Sequence, residues 1–233
     1  MDFTGERFVP GQGTMSMQKD HISRYEFASQ FAAGKNVLDI ACGSGYGSVL
    51  LAQKARLVDG VDISQESISY AQSEFSMQTV NYQTGDIVNF TSNRLYDLII
   101  CFETIEHIED YETALRNLKK LLTPDGMLII SSPNRFITSP KCKHLTDRPG
   151  EYHVREFTIE ELKGAMVKLG YMIGNDSIFG QRLQRYFSSR FIGWAYTTVF
   201  KPKKRSNYKV APIPPNKMPR YFIIVAQNGD ALL

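Results

Sequence analysis

Val37-Leu38-Asp39-Ile40-Ala41-Cys42-Gly43-Ser44-Gly45-Tyr46-Gly47 reads as a buried strand that runs straight into a glycine-rich turn. Glycine reaches positive φ without a Cβ clash and lets a ligand approach the backbone closely. A tight strand-to-helix turn also leaves N–H groups free at the start of the following helix. The next apolar run ends in an acid, within Val61-Asp62-Ile63-Ser64. Asp62 follows the turn by roughly 20 residues, the spacing at which an acid can accept hydrogen bonds from ribose hydroxyls. A third short strand leads into Gly85-Asp86-Ile87.

A glycine-rich turn followed by an acid also fits an NAD-binding domain. Three details separate the readings. The dinucleotide pattern places Gly or Ala at position 48, where this chain has Ser48. Asp39 lies inside the motif, where that pattern requires no acid. Asp86 follows the third strand. Together these residues resemble the cofactor site of class I S-adenosylmethionine-dependent methyltransferases. The resemblance covers residues 35–135 firmly, the N-terminal segment and 151–170 more loosely. It implies a cofactor site of Asp39, Gly43, Gly45, Asp62, Ile63, Asp86, Ile87 and Glu103. In it Asp62 holds the ribose, Ile63 packs on adenine and Asp86 accepts from the adenine amine. It also implies a Rossmann-like, seven-stranded, mostly parallel sheet with helices on both faces and an antiparallel last strand.

The 233 residues suit a single domain spanning 1–233, or one domain with an insertion. With 42% hydrophobic and 22% charged residues, the composition is that of an ordinary globular protein. A net charge of +3 is too small to imply nucleic acid by itself. Cys42, Cys101 and Cys142 are odd in number and widely spaced. The first two sit in apolar strands and read as buried, reduced thiols. The first residues lack the apolar core of a signal peptide, and no apolar run is long enough to span a bilayer. A cytoplasmic enzyme is the expectation.

Strand and helix signals alternate, which argues for a mostly parallel sheet covered on both faces. Helices are predicted over 21–33, 46–54, 65–76, 111–122 and 158–169, and strands over 37–41, 57–62, 80–84, 96–102 and 127–132. Thr158 and Glu161 have capping-box spacing. Thr123-Pro124-Asp125-Gly126 reads as a turn. Segments 171–179 and 221–226 are expected to form the closing antiparallel hairpin.

Strand four ends at Phe102-Glu103-Thr104-Ile105-Glu106-His107-Ile108. Ligands bind at the carboxyl ends of parallel strands, so this segment should face the cofactor. His107 reads either as a general base or substrate-orienting group, or as a side chain that packs at a helix start and only shapes the pocket. Glu106 reads as a cap or surface acid. His153, in Glu151-Tyr152-His153-Val154-Arg155-Glu156-Phe157, is the second candidate base. Its loop reads either as part of the acceptor pocket or as a solvated charged stretch. Cys142, His144 and His153 match no usual metal spacing, so no metal is expected.

Residues 1–34 read as a capping segment. Gly5-Glu6-Arg7-Phe8-Val9-Pro10-Gly11 resembles the start of a bacterial methyltransferase subgroup associated with glycan and secondary-metabolite modification. In that subgroup the next helix closes over the cofactor, and Arg24 or Tyr25 meets the methionine carboxylate. The alternative is a plain capping helix.

Segment 181–219 is a basic, aromatic insertion with nine Lys and Arg, no Asp or Glu, and Tyr186, Phe187, Phe191, Trp194, Tyr196, Phe200 and Tyr208 interleaved. Such a segment suits an acidic partner. The diphosphate of a carrier-linked sugar, a peripheral membrane contact and RNA all meet that chemistry. So does a lid or dimer contact with buried aromatics and solvated charges. Nucleic acid is the least favoured, because no RNA-binding module is present. The expected reaction is O-methylation of a small polar acceptor, such as a sugar on a nucleotide or lipid carrier. An aromatic or quinone hydroxyl is the alternative acceptor. A non-catalytic docking module of the same fold is the alternative in kind.

Overall fold

A computed structural model describes residues 14–185 and 207–229. The N-terminal Gly5–Gly11 motif and the middle of the basic insertion, 186–206, lie outside the described residues.

The chain opens with helix α1 (Met15–Ala28), N-capped by Thr14, whose side chain accepts from the Met17 amide. This helix begins six residues before the expected 21, because Thr14 supplies the cap that the apolar pattern alone does not show. Then follow β1 (Asn36–Ile40), α2 (Tyr46–Ala52), β2 (Leu57–Asp62), α3 (Gln65–Glu74), β3 (Val80–Thr84), β4 (Tyr96–Phe102) and α4 (Tyr111–Leu121). After these come β5 (Leu122–Pro133), α5 (Arg135–Thr138), α6 (Ile159–Lys168), β6 (Tyr171–Met172) and β7 (Ile178–Gln181). The chain continues through β8 (Gln184–Arg185), β9 (Ala211–Pro212), β10 (Lys217–Met218) and β11 (Tyr221–Asn228).

The strand order is β3-β2-β1-β4-β5-β11-β7-β9, with β6 also beside β11. The first five are parallel, and β11 runs antiparallel to both β5 and β7. This is the expected mixed Rossmann-like sheet, with two short two-residue strands, β6 and β9, added at the antiparallel end.

Two local expectations are corrected. Residues 123–126 are not a turn: β5 runs on from Leu122, which pairs with Tyr96, and a bulge before Leu98 absorbs the irregularity. Leu122 is buried in the core, and that burial overrides the Pro-Asp-Gly turn signal. The single strand expected over 171–179 is split into β6 and β7 by a turn at Gly174-Asn175-Asp176, residues that favour turns.

Each face of the sheet carries a core. Leu38 and Ile40 of β1 pack with Leu115, Leu118, Leu162 and Met166 of α4 and α6. Val37 faces the other way, toward Tyr25, Phe27 and Leu51 of α1 and α2. Strand alternation therefore puts Asp39 on the α1/α2 face of a fully covered central strand. Cys42 and Cys101 are buried free thiols, as their strand contexts predict.

At the start of α6, Thr158 accepts from the Glu161 amide and Glu161 accepts from the Thr158 amide, closing the capping box. Glu161 also holds Arg135. We expect Thr158→Ala to cost about 1 kcal/mol in urea unfolding; an unchanged midpoint would mean the box contributes nothing.

Candidate active site

The carboxyl edge of the parallel sheet concentrates backbone strain. Ala41 (φ 60°) and Glu103 (φ 48°) adopt left-handed geometry after the paired strands β1 and β4, beside Gly43 (φ 55°) and Gly45 (φ 86°). Non-glycine residues in that region cost of order 1–3 kcal/mol and gather at functional sites. Gly45 is required twice over. Its φ suits glycine, and a Cβ there would lie 2.6 Å from the Ala71 Cβ.

Asp39 is 1% exposed. Its two oxygens accept from the Tyr25 hydroxyl at 3.0 Å and the Ser48 hydroxyl at 2.6 Å. Burial pushes its carboxyl up to about 7, despite those hydrogen bonds, and the charge of Asp62 adds to the rise. The Tyr25 ring lies directly over Gly47, where a Cβ would come within 2.1 Å of it, and packs edge-on to Tyr46 and Phe102. The polar atoms of Asp39 and Tyr25 meet each other, which ties α1 to β1 behind the glycine turn.

Asp62 is the organising acid of the open edge. One oxygen accepts from the Gly43 amide and the other from the Ser64 amide, both at 2.9 Å. Next to it Ile63 is 67% exposed. Asp86 turns one oxygen to the Val88 amide. The Ile87 side chain is buried in the core and its carbonyl accepts from Asn117.

Glu103 is locked to the neighbouring strand. Its amide donates to Ser131 Oγ at 3.1 Å, and that hydroxyl donates back to Oε1 at 2.6 Å. Arg24 is 1% exposed, yet its guanidinium reaches the strand ends. It donates to Gln181 at 2.7 Å, lies 4.0 Å from Glu103 and stacks over Tyr221. Its Nε has no hydrogen-bond partner among the described residues. A buried cation with a donor to spare suits a carboxylate ligand. Gln181, not singled out in the sequence, holds this helix down by donating to Asp20 O, Ser23 Oγ and Tyr208 O. Arg182 pairs with Asp20 and strengthens the same seam.

The post-β4 turn builds the other wall. The Val154 and Arg155 amides donate to the Glu106 carbonyl at 3.1 and 3.2 Å, docking the 152–156 loop onto Ile105–His107. This brings together the two histidines that the sequence left as alternatives, with ring centroids 4.9 Å apart. His107 Nδ1 lies 2.9 Å from the Tyr152 carbonyl. A carbonyl only accepts, so that nitrogen carries the proton. His153 Nδ1 meets Glu156 at 2.8 Å. Burial raises the Glu156 carboxyl, but hydrogen bonds from His153 and Thr138 outweigh it and hold the group below its ordinary range. Glu106 is corrected from a surface acid to a buried one, 1% exposed. Burial and the nearby Glu103 charge push its carboxyl well above the usual range. Arg148 and Arg155 turn to Glu109 and leave this wall.

These residues fit S-adenosylmethionine. Asp62 would hold the ribose hydroxyls, exposed Ile63 would cover the adenine, Asp86 would receive its amine, and Arg24 would meet the amino-acid carboxylate.

The clasp on Asp39 generates a pH prediction. Its folded pKa lies above the unfolded value, so its contribution is full below about pH 4 and is lost as pH rises through about 7. Tyr25, Ser48, Cys42 and Asp62 are the groups facing it. Asp39→Asn keeps an acceptor and removes the titration. Urea unfolding should show the wild type losing roughly 1–4 kcal/mol relative to this variant between pH 4 and 8. A constant difference would contradict the burial assignment.

Known proteins are similar to this chain in sequence and fold. The methyltransferase domain family matches residues 16–173. A probable S-adenosylmethionine-dependent methyltransferase of Mycolicibacterium smegmatis is 28% identical over 176 residues, which are 74% of this chain and 66% of that protein. A ubiquinone biosynthesis O-methyltransferase of Coxiella burnetii is 38% identical over 105 residues, 44% of this chain and 45% of that one. The matches therefore span less than two thirds of these relatives' lengths. The N-methyltransferase NodS of Bradyrhizobium japonicum, solved with S-adenosylhomocysteine, superposes with a TM-score of 0.60 at 16% identity, covering 93% of this chain and 89% of that one. No helix among the described residues is long and apolar enough to cross a membrane. From its sheet, its strand-end acids and the family match over most of its length, the chain belongs to the class I S-adenosylmethionine-dependent methyltransferases.

Proposed function

We propose that this chain methylates an oxygen of a small polar acceptor. The observation that carries the reading is the pairing of two walls at one sheet edge. Asp62, with exposed Ile63, stands on one side, and His107 with the Glu156-oriented His153 stands on the other. The cofactor, when bound, supplies a methyl group already activated on sulfur. The protein's task is then to position the acceptor and manage one proton. A hydroxyl must shed its proton as it gains the methyl group. A neutral imidazole whose Nδ1–H is held by a carboxylate presents Nε2 as the accepting atom.

The acceptor we favour is a sugar on a phosphorylated nucleotide or lipid carrier. Support comes from the N-terminal motif and from the cationic, acid-free stretch 181–219, which suits a diphosphate or an anionic membrane surface. A second reading, an aromatic or quinone hydroxyl, draws on the Coxiella relative and on Phe136 and Tyr152, which are 58% and 57% exposed.

Asp62→Ala should weaken S-adenosylhomocysteine binding by about 1–3 kcal/mol in calorimetry; unchanged affinity would refute the ribose assignment. His153→Ala should keep that affinity yet lower turnover roughly 10²–10⁴-fold on a sugar-nucleotide acceptor. Full turnover would remove His153 from the chemistry, and turnover on quinol acceptors alone would select the second reading.

A further inference from the structure

The wall facing the acceptor also admits a second arrangement, in which His153 Nε2 binds a cation instead of taking the acceptor's proton, and the cation itself acidifies the acceptor hydroxyl, whose proton passes to solvent. One ligand atom from each of Glu106, His107 and His153 lies within 4.8 Å of the others. We propose that these three residues form a site for a divalent first-row cation, of the zinc or iron(II) kind, and that the acceptor oxygen completes its coordination. The last clause rests on the reading of the chain as an O-methyltransferase, whereas the cation site does not.

Three independent features support the site. The first is a buried orphan. Glu106 is 1% exposed, and its Oε1 has no hydrogen-bond partner among the described residues, while Oε2 accepts only weakly from Ser132 Oγ at 3.3 Å. Leaving a carboxylate oxygen buried and unmatched is costly, and a cation would satisfy it. The second is the orientation of both rings. Metal-binding histidines usually give their other N–H to a carboxylate or a backbone carbonyl. Here His153 Nδ1 meets the Glu156 carboxylate and His107 Nδ1 meets the Tyr152 carbonyl. Each pairing fixes the tautomer that leaves a lone pair on Nε2.

The third is the donor chemistry. Two imidazoles and one carboxylate match the zinc and iron group rather than magnesium or calcium, which prefer all-oxygen sets. Three protein ligands also leave a position open for an oxygen. The geometry needs little adjustment. Three atoms no more than 4.8 Å apart lie at most about 2.8 Å from a common centre, so bonds of about 2.0–2.1 Å draw each inward by no more than roughly 0.7 Å. Both histidines are only half-buried, which allows that movement.

The set comes from two places in the chain. Glu106 and His107 follow β4, and His153 arrives on the loop that docks through its Val154 and Arg155 amides. From the sequence no metal was expected, because Cys142, His144 and His153 match no usual spacing; the set that does gather among the described residues is Glu106, His107 and His153.

The test uses the full chain, stripped with a chelator and dialysed. Cobalt(II) titrated into it should give one equivalent of binding with visible d–d absorption and no thiolate charge-transfer band, and zinc should displace it. His107→Ala, His153→Ala and Glu106→Gln should each weaken zinc binding by about tenfold or more in calorimetry. Glu156→Gln, which of the three proposed ligands touches only His153, should weaken it by about 10–100-fold. Cys142→Ser should leave it unchanged. If Glu106→Gln does not fold, the two half-buried histidine variants decide. No stoichiometric binding, or equal binding by the histidine variants, overturns the proposal. S-adenosylhomocysteine titrated into the same histidine variants should bind as to wild type. A chain that binds zinc but not that nucleoside would sustain the metal site while the methyltransferase reading fails.

Discussion

The buried carboxylate of Asp39 is the interaction on which the site's geometry depends. It sits in the central strand, and it is satisfied by a hydroxyl from α1 and another from α2. Hydrogen bonds to a charged group contribute roughly 1.5–3 kcal/mol, but here they must offset the cost of burying the charge. The compromise is visible in a carboxyl that titrates near 7. Through Tyr25 this clasp fixes α1 over the glycine turn, and through Ser48 it fixes the start of α2. With α1 in place, Arg24 reaches the strand ends and Gln181 locks the helix to the antiparallel side of the sheet. The acid therefore orders the residues around the glycine turn.

The second organising contact is purely backbone. The Glu106 carbonyl receives two amides from the 152–156 loop, which turns a solvated charged stretch into a wall. Only then do His107 and His153 share one space, with Glu106 beneath them. The chemistry of the acceptor side thus depends on a contact between segments nearly fifty residues apart. The cofactor side, by contrast, is assembled from successive strand ends.

That difference explains what was legible in the sequence. Strand periodicity, the glycine positions and Asp62 are local signals, and the sheet, the cap at Thr158 and the acid at the β2 end could be read from them. Ile63 was named only through the resemblance, and its exposure is seen in the structure. Glu106 was misjudged, because an acid in a polar loop is normally solvated, and its burial comes from a distant loop folding over it. Gln181 carried no signal at all, since its three acceptors belong to α1 and to Tyr208. Long-range closure, rather than propensity, also converted residues 123–126 from an expected turn into strand.

The central claim is that the Asp62 edge is a site for an adenosyl sulfonium cofactor rather than a dinucleotide. The most direct measurement is calorimetric titration of the full chain with S-adenosylhomocysteine and, separately, with NAD. The account predicts one site per chain for the first, with a dissociation constant on the order of micromolar, and no binding of the second. Binding of NAD, or of neither compound, would contradict it.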